Sequence, residues 1–147
     1  MLARIRKAQE KESGFTLIEL LVVIIIIGIL AAVAIPVFLN QRKKAVDSAI
    51  KSDLKSVANA LEDYAVDNPT TPYLYGAVPS NATAALNAKT TTGNNILISG
   101  TVTTGYCIRG FNPNGNANAA ANAYWYDSAL GGLQAARGAA PAGGVCA

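Results

Sequence analysis

Two hydrophobic patterns follow one another along the first half of this chain. From Phe15 to Leu39 the sequence FTLIELLVVIIIIGILAAVAIPVFL is almost entirely apolar and carries one charge, Glu19. A helix of about 25 residues rises about 37 Å, and the hydrocarbon layer of a membrane is about 30 Å thick. The pattern therefore predicts a helix over residues 15–39 that lies in lipid or in a protein core.

From Asn40 to Asn68 the apolar residues recur every three or four positions, which is typical of one face of a helix. The stripe comprises Val46, Ile50, Leu54, Val57, Leu61 and Tyr64. Most charged residues of this stretch, Asp47 among them, fall off the stripe. Pro69 marks the expected end. The pattern predicts that the helix continues over residues 40–68 and packs this stripe against a globular domain.

Pro36 interrupts the helical pattern of the apolar segment, and Gly28 lies eight residues before it. Proline removes a backbone hydrogen bond and clashes with the preceding turn, so a kink or a locally loosened turn is expected at Pro36. Helices in lipid also tolerate proline and glycine without any functional consequence. The residues alone leave both interpretations open.

After Pro69 the chain is rich in Thr, Asn, Ala and Gly, with short β-prone runs that predict a small antiparallel sheet. The predicted strands are Asn95–Ser99, Thr101–Thr104, Tyr106–Phe111 and Ala123–Asp127. Gly100 and Gly105 are interpreted as hairpin breaks, residues 69–94 as an irregular loop, and residues 112–123 as a long, flexible connection.

The predicted fold class is α+β, with a long N-terminal helix packed on a small antiparallel sheet. The C-terminal part, residues 69–147, has few large aliphatic side chains and needs the stripe of the helix to complete a core. Residues 1–14 are short and charged, end in Gly14 and lack an apolar region of their own. They do not resemble an ordinary secretory signal, in which cleavage follows the apolar stretch; Ala31 to Ala34 offers only a weak site of that kind.

The charge balance says little about partners. The formal net charge is +3, but about +1 remains after Phe15, because Arg4, Arg6, Lys7 and Lys11 precede it. The basic cluster Arg42–Lys44 is interpreted as a solvated collar or as a source of ion pairs in an assembly, ahead of contacts to DNA or headgroups. Basic residues flank both ends of the apolar segment, so the positive-inside rule only narrowly favours a cytoplasmic leader.

Cys107 and Cys146 are the only cysteines, and their spacing does not match a zinc or redox motif. If the C-terminal part lies outside the membrane, an oxidising compartment favours one disulfide between them. Two unpaired thiols are the alternative.

Glu19 is the informative residue of the apolar segment. An ionised carboxylate on a membrane helix costs on the order of 1–3 kcal/mol, depending on its depth, so a partner is expected. Cleavage between Gly14 and Phe15 would create one, since the new α-amino group is cationic at neutral pH. In a low-dielectric interior, the amine of one subunit and Glu19 of another would select one axial register. The alternative is a Glu19 that reaches the headgroups without a partner.

The segment SGFTLIELLVVIIIIGILAAVAIPVF resembles the class III signal and N-terminal assembly helix of type IV pilins, strongly over residues 11–68. The resemblance implies cleavage after Gly14 by a prepilin peptidase, N-methylation of Phe15 and a contact of Glu19 with the amino terminus of a neighbouring subunit. It also implies local melting of the helix between Gly28 and Pro36 in the filament. The Cys107 and Cys146 pair is similar to the disulfide-bounded region of many pilins.

The resemblance further implies a homopolymer, assembled by inner-membrane pilus machinery from a membrane-anchored precursor whose C-terminal domain lies outside. We expect an extracellular type IV pilus subunit for adhesion, twitching motility or DNA uptake. One alternative is a pseudopilin of a type II secretion or competence system; another is a single-span anchored extracellular binding protein that never polymerises.

No catalytic set competes with this interpretation, because the chain has no histidine and few carboxylates after Asp67. We expect no enzyme activity, no cofactor and no metal. Major pseudopilins usually bind calcium through acidic C-terminal loops, and this chain lacks those acids. The aromatic run Tyr124–Tyr126 suggests ligand stacking, but alternation along a strand places Tyr124 and Tyr126 on one face and Trp125 on the other, so one of the two faces is expected to be core. Asn81–Thr83 matches a glycosylation sequon, which is a weak signal.

Overall fold

The computed structural model describes residues 14–67, 77–78, 86, 88–101, 105–135 and 137–146. Residues 1–13 of the predicted leader, the sequon and most of the predicted loop 69–94 lie outside this range. Within it, the elements are one long helix, α1 (Leu17–Asp67), a 3-10 turn at Ala120–Asn122, and five strands. The strands are β1 (Ala77–Val78), β2 (Asn95–Thr101), β3 (Gly105–Phe111), β4 (Tyr124–Asp127) and β5 (Gly132–Leu133).

The strands form one antiparallel sheet in the order β1-β2-β3-β4-β5, in which each strand pairs with its neighbour in sequence. The central pairing runs from Asn95 opposite Phe111 to Thr101 opposite Gly105. The predicted α+β class, with a long helix and a small antiparallel sheet, is confirmed, and the fold is pilin-like.

The chain divides into two compact units, residues 1–39 and residues 40–147. In the second unit the predicted stripe of α1 forms the core: Ile50, Leu54, Val57 and Leu61 are completely buried. They pack with the inward side chains of β2, β3 and β4. These sheet residues are Ile96, Ile98, Tyr106, Ile108 and Tyr124. The helix therefore supplies the apolar surface that the C-terminal part lacks.

Several sequence predictions for the strands were wrong in detail. β2 continues through Gly100 to Thr101 instead of breaking at Gly100, because Gly100 pairs with Tyr106 within the β2–β3 ladder. Residues 102–104 of the predicted second strand lie outside the described residues. Two short strands were missed: β1 lies inside the predicted loop 69–94, and β5 extends the sheet beyond β4. Two-residue strands leave no periodic pattern in a sequence.

The segment 112–123 is not the flexible connection that its composition suggests. Asn112 and Ala117 are buried, and the Asn112 N–H donates to the Ala117 carbonyl at 2.7 Å. The Asn122 side chain donates to the Asn116 carbonyl at 2.9 Å, and residues 120–122 form a 3-10 turn. Repeated short hydrogen bonds therefore give this Asn-rich segment a defined conformation.

Gly110 sets the distance between β3 and α1. A Cβ at this position would lie 2.8 Å from Ile50 Cγ2 and 3.0 Å from Ile96 Cδ1. Gly110→Val is therefore expected to lower the free energy of unfolding by about 1–3 kcal/mol through overpacking. Guanidinium denaturation of the detergent-solubilised chain, followed by fluorescence of Trp125, the single tryptophan, measures this. Ser99→Val, at an exposed position of β2, is the control; an equal loss there would contradict the packing explanation.

Candidate functional site

The Gly14–Phe15 junction lies directly before α1. Neither residue is helical, both are exposed, and the Phe15 side chain is 83% exposed. No atom lies within 4 Å of where a Gly14 Cβ would be. The peptide bond that the sequence predicts to be cleaved is therefore open to an enzyme.

Thr16 and Glu19 form a reciprocal cap at the start of α1. Glu19 Oε2 accepts hydrogen bonds from the Thr16 N–H at 2.9 Å and from its hydroxyl at 2.7 Å. The Glu19 N–H donates to Thr16 Oγ1 at 3.3 Å. Such a capping box satisfies backbone donors that the first helical turn leaves unpaired. Glu19 thus has a partner within its own chain, and the Thr-x-x-Glu pattern that announces it was overlooked in the sequence.

The first part of α1 presents apolar side chains all round. Every large hydrophobic residue from Leu17 to Leu39 is at least 42% exposed. An 18-residue stretch of α1 has a mean hydropathy of 3.3, so the helix is long and apolar enough to cross a membrane. Gly28 and Pro36 both lie within the helix, which is continuous through them. An apolar surface of this extent is stable only in lipid or against other protein surfaces.

Two buried carboxylates of α1 hold loops of the C-terminal part, and both were missed as functional positions. Asp47, placed off the helix stripe by the sequence, is only 6% exposed. Its oxygens accept hydrogen bonds from the Asn116 N–H at 2.8 Å, the Asn116 side chain at 2.8 Å and the Tyr124 hydroxyl at 3.2 Å. Burial raises the pKa of Asp47, but these bonds and that of the Ala117 N–H outweigh it, so the pKa lies below its usual value.

Asp53 ties the segment before β2 in the same way. Its carboxylate accepts from the Thr91 N–H at 2.8 Å, the Thr91 hydroxyl at 3.1 Å and the Asn94 side chain at 2.6 Å. Asn94 in turn accepts from the Asn112 side chain at 2.7 Å. Buried charges are tolerated when they are fully hydrogen-bonded. The two aspartates therefore fix to the helix the chain segments that enter and leave the β2–β3 hairpin, which both lie at its open end.

A third buried carboxylate, Asp127, binds the C-terminus. Oδ1 accepts from the Ala129 N–H at 2.9 Å and the Leu130 N–H at 3.3 Å, and Oδ2 accepts from the Cys146 N–H at 3.0 Å. Both oxygens are thus engaged by backbone donors. Among the described residues no group of three or more His, Cys, Asp or Glu side chains is placed to hold a metal ion.

Cys107 and Cys146 form the disulfide that the sequence predicts; they are 39 positions apart in sequence and their Cα atoms are 5.2 Å apart. Cys107 pairs with Asp127 across β3 and β4. The disulfide and the Asp127 hydrogen bond therefore attach the same C-terminal residue, Cys146, to adjacent strands.

Removing the disulfide in a Cys107→Ser, Cys146→Ser variant is expected to cost about 2–4 kcal/mol, since a loop of this length is constrained in the unfolded chain. The Trp125 denaturation assay measures the loss. Dithiothreitol is expected to destabilise the wild-type chain equally and to leave the variant unchanged. If the reductant has no effect on the wild type, the disulfide does not stabilise the fold.

The predicted alternation of the aromatic run is confirmed, and the structure shows that the core face is that of the two tyrosines. Tyr124 and Tyr126 pack with the core, and Tyr126 stacks on Tyr106 with ring centroids 6.1 Å apart. Trp125 lies on the opposite face of the sheet, where the Arg109 guanidinium is 5.7 Å from its ring centroid. Arg42, Lys43 and Lys44 are exposed on α1.

Residues 10–35 match the family model of the prokaryotic N-terminal methylation motif. In this motif and in its fold the chain is similar to type IV pilin-like proteins.

Among curated proteins, the chain is similar to type II secretion system core protein G of several bacteria. It is 40% identical to the Aeromonas hydrophila protein over 80 residues, which is 52% of this chain and 56% of the relative. It is 43% identical to the protein of Escherichia coli K12 over 68 residues, 44% of this chain and 47% of the relative. The Pseudomonas aeruginosa protein is 43% identical over 60 residues, 41% of this chain and 42% of the relative. The chain spans about half the length of these relatives.

Proposed function

We propose that this chain is the repeating subunit of a helical filament, and that the filament is the pseudopilus of a type II secretion system. The observation that carries the filament role is the exposed apolar surface of Leu17–Leu39 with Glu19 as its single charge. A surface that is apolar all round fits lipid before assembly and identical neighbours afterwards. The proposed role is structural and includes no catalytic step.

In this proposal, a prepilin peptidase cleaves the exposed bond between Gly14 and Phe15, and Phe15 is N-methylated. The new amino group of one subunit then pairs with Glu19 of its neighbour. Burial of Leu17–Leu39 among subunits supplies cohesion, while the charge pair selects the register. Melting of the helix between Gly28 and Pro36 is part of the same proposal.

The pseudopilus is favoured over a surface pilus by the relatives, whose name is type II secretion system core protein G. The second candidate, a surface pilus for adhesion, twitching motility or DNA uptake, is favoured by the disulfide between Cys107 and Cys146, which resembles the disulfide-bounded region of pilins. In both cases the precursor is anchored in the cytoplasmic membrane with its C-terminal domain outside, and inner-membrane assembly machinery is the partner.

Deletion of the gene tests the proposal in the producing bacterium. We expect the mutant to retain inside the cell the exoproteins that the wild type secretes. We also expect the wild type to shed few long surface filaments. Mass spectrometry of the wild-type protein is expected to show an amino terminus at methylated Phe15. Normal secretion with lost motility or lost surface filaments would favour the surface pilus. An uncleaved amino terminus would contradict both and favour a single-span anchored binding protein.

A further inference from the structure

The sheet face opposite α1 carries a half-buried patch on the three central strands. Leu97 of β2 pairs with Arg109 of β3, and Arg109 pairs with Trp125 of β4. The indole N–H of Trp125 donates to the Gly138 carbonyl at 2.8 Å, which fixes the ring under the guanidinium. We call Leu97, Arg109 and Trp125 the Arg109 patch. It combines one positive charge with apolar and aromatic surface.

The Nε–H group of Arg109 is a buried hydrogen-bond donor that has no acceptor among the described residues. A buried unsatisfied donor costs about 1–3 kcal/mol, and more when it is charged. The Arg109 side chain as a whole is only partly buried. Guanidinium donors match the geometry of a carboxylate, so an acidic side chain that docks on the patch would pair with the charge of Arg109.

The end of α1 carries the complementary chemistry. Asp63, Val66 and Asp67 are spaced i, i+3 and i+4, so they share one side of the helix. All three are exposed, and Val66 is 80% exposed, which is unusual for an aliphatic side chain in the helix of this unit. Neither aspartate has a hydrogen bond or ion pair among the described residues. We call these three residues the acidic helix end.

We propose that the Arg109 patch of one copy of this chain binds the acidic helix end of the next copy. The two surfaces differ, so the contact is heterologous, and its repetition produces an open chain of subunits rather than a closed dimer. This inference rests on the proposed filament. The contact is small. Because the apolar helices already hold neighbouring subunits together, the two surfaces are at high effective concentration, and one contact that combines charged and apolar groups suffices to fix the orientation of the subunits.

Photocrosslinking in the filament tests the contact. The photoreactive amino acid p-benzoylphenylalanine is incorporated at Ser99, which is exposed on β2 two residues from Leu97. Irradiated filaments are expected to give a covalent dimer, and fragmentation of its tryptic peptide that begins at Ser56 is expected to place the adduct between Asp63 and Asp67. An adduct elsewhere, or within one chain, would overturn the proposal.

Charge reversal in the same crosslinking strain adds a test of the pairing. Arg109→Glu is expected to lower the dimer yield at least about tenfold, because like charges then face each other. The pair Asp63→Lys, Asp67→Lys is expected to do the same, and the combined variant to restore most of the yield, which also shows that these chains fold. Lys55→Glu, the same charge change at another exposed position of α1, is the control. Failure of the combination to restore the dimer would overturn the pairing.

Electron microscopy of the filament distinguishes a failure of the proposed contact from a failure of the proposed filament function. If electron microscopy shows filaments whose crosslinks do not depend on Arg109, the proposed contact is wrong and the filament function stands. If the wild-type chain forms no filaments, the filament function is wrong and the contact falls with it.

Discussion

Glu19→Gln is expected to leave the Gly14–Phe15 bond cleaved but to reduce the yield of filaments at least about 100-fold. In the proposed filament, the amide would face the cationic amino group of Phe15 from a neighbouring subunit in an apolar interior. Removing one partner of a buried ion pair costs about 3–5 kcal/mol, and each 1.4 kcal/mol corresponds to about a factor of ten in an association constant. Immunoblotting of processed protein and electron microscopy of filaments measure the two outcomes separately.

The cap at Thr16 makes the choice of glutamine informative. Glutamine at the third helical position also completes a capping box, so Glu19→Gln removes the charge and keeps the helix start. Thr16→Ala does the reverse: it removes the hydroxyl partner of Glu19 and keeps the carboxylate. We expect Thr16→Ala to lose far less assembly than Glu19→Gln.

Two further variants, Glu19→Ala and Gly14→Leu, serve as controls for Glu19→Gln. Glu19→Ala, which removes both the charge and the cap, is expected to match Glu19→Gln within a factor of a few. Gly14→Leu is expected to block cleavage, so this variant accumulates as the uncleaved precursor and marks the position of unprocessed protein on the blot. If Glu19→Gln assembles normally while Thr16→Ala does not, Glu19 acts through the helix start and not through the neighbouring amine.

The part of the fold that was predictable from sequence depends on short periodic patterns. The stripe Ile50, Leu54, Val57 and Leu61 repeats at three and four residues, and all four side chains are buried. The alternation of Tyr124, Trp125 and Tyr126 separated the two tyrosines from the tryptophan, although it did not say which face of β4 is core. Both patterns are local, since a helix turn or a strand pleat alone decides which residues share a side.

The features that were not predictable from the sequence depend on residues far apart in the chain. Asp47 looks like a solvated helix residue, and it is buried because Asn116, 69 positions later, donates two hydrogen bonds to it. The Asn-rich segment 112–123 looks flexible in the sequence because its order depends partly on a distant residue: Asp47 accepts hydrogen bonds from Asn116 and Ala117, in addition to the short bonds within the segment. At the candidate site, the apolar surface followed from composition and the junction from the resemblance to type IV pilins, whereas the cap required attention to the Thr-x-x-Glu spacing.

Asp47→Ala is expected to destabilise the C-terminal unit by about 3–5 kcal/mol at neutral pH. The substitution leaves the Asn116 and Ala117 N–H groups and the Tyr124 hydroxyl without their acceptor, and each buried unsatisfied donor costs about 1–3 kcal/mol. Guanidinium denaturation followed by Trp125 fluorescence measures the loss. Tyr124→Phe, which removes a single donor while the others keep their acceptor, is expected to cost no more than about 1.5 kcal/mol.

The pH dependence of the free energy of unfolding distinguishes the contribution of the Asp47 charge from that of the side-chain shape. The folded-state pKa of Asp47 is depressed, and an aspartate in the unfolded chain titrates near about 3.9. The stability that the carboxylate contributes is therefore fully present above that value and is lost as the pH falls through the lower folded-state pKa. Asp47→Asn, which preserves the shape, is expected to differ most from the wild type at neutral pH and to approach it once the pH falls below the folded-state pKa of Asp47. A difference that stays constant from pH 7 to pH 2 would show that the loop 112–117 is held by packing and not by the ionised carboxylate.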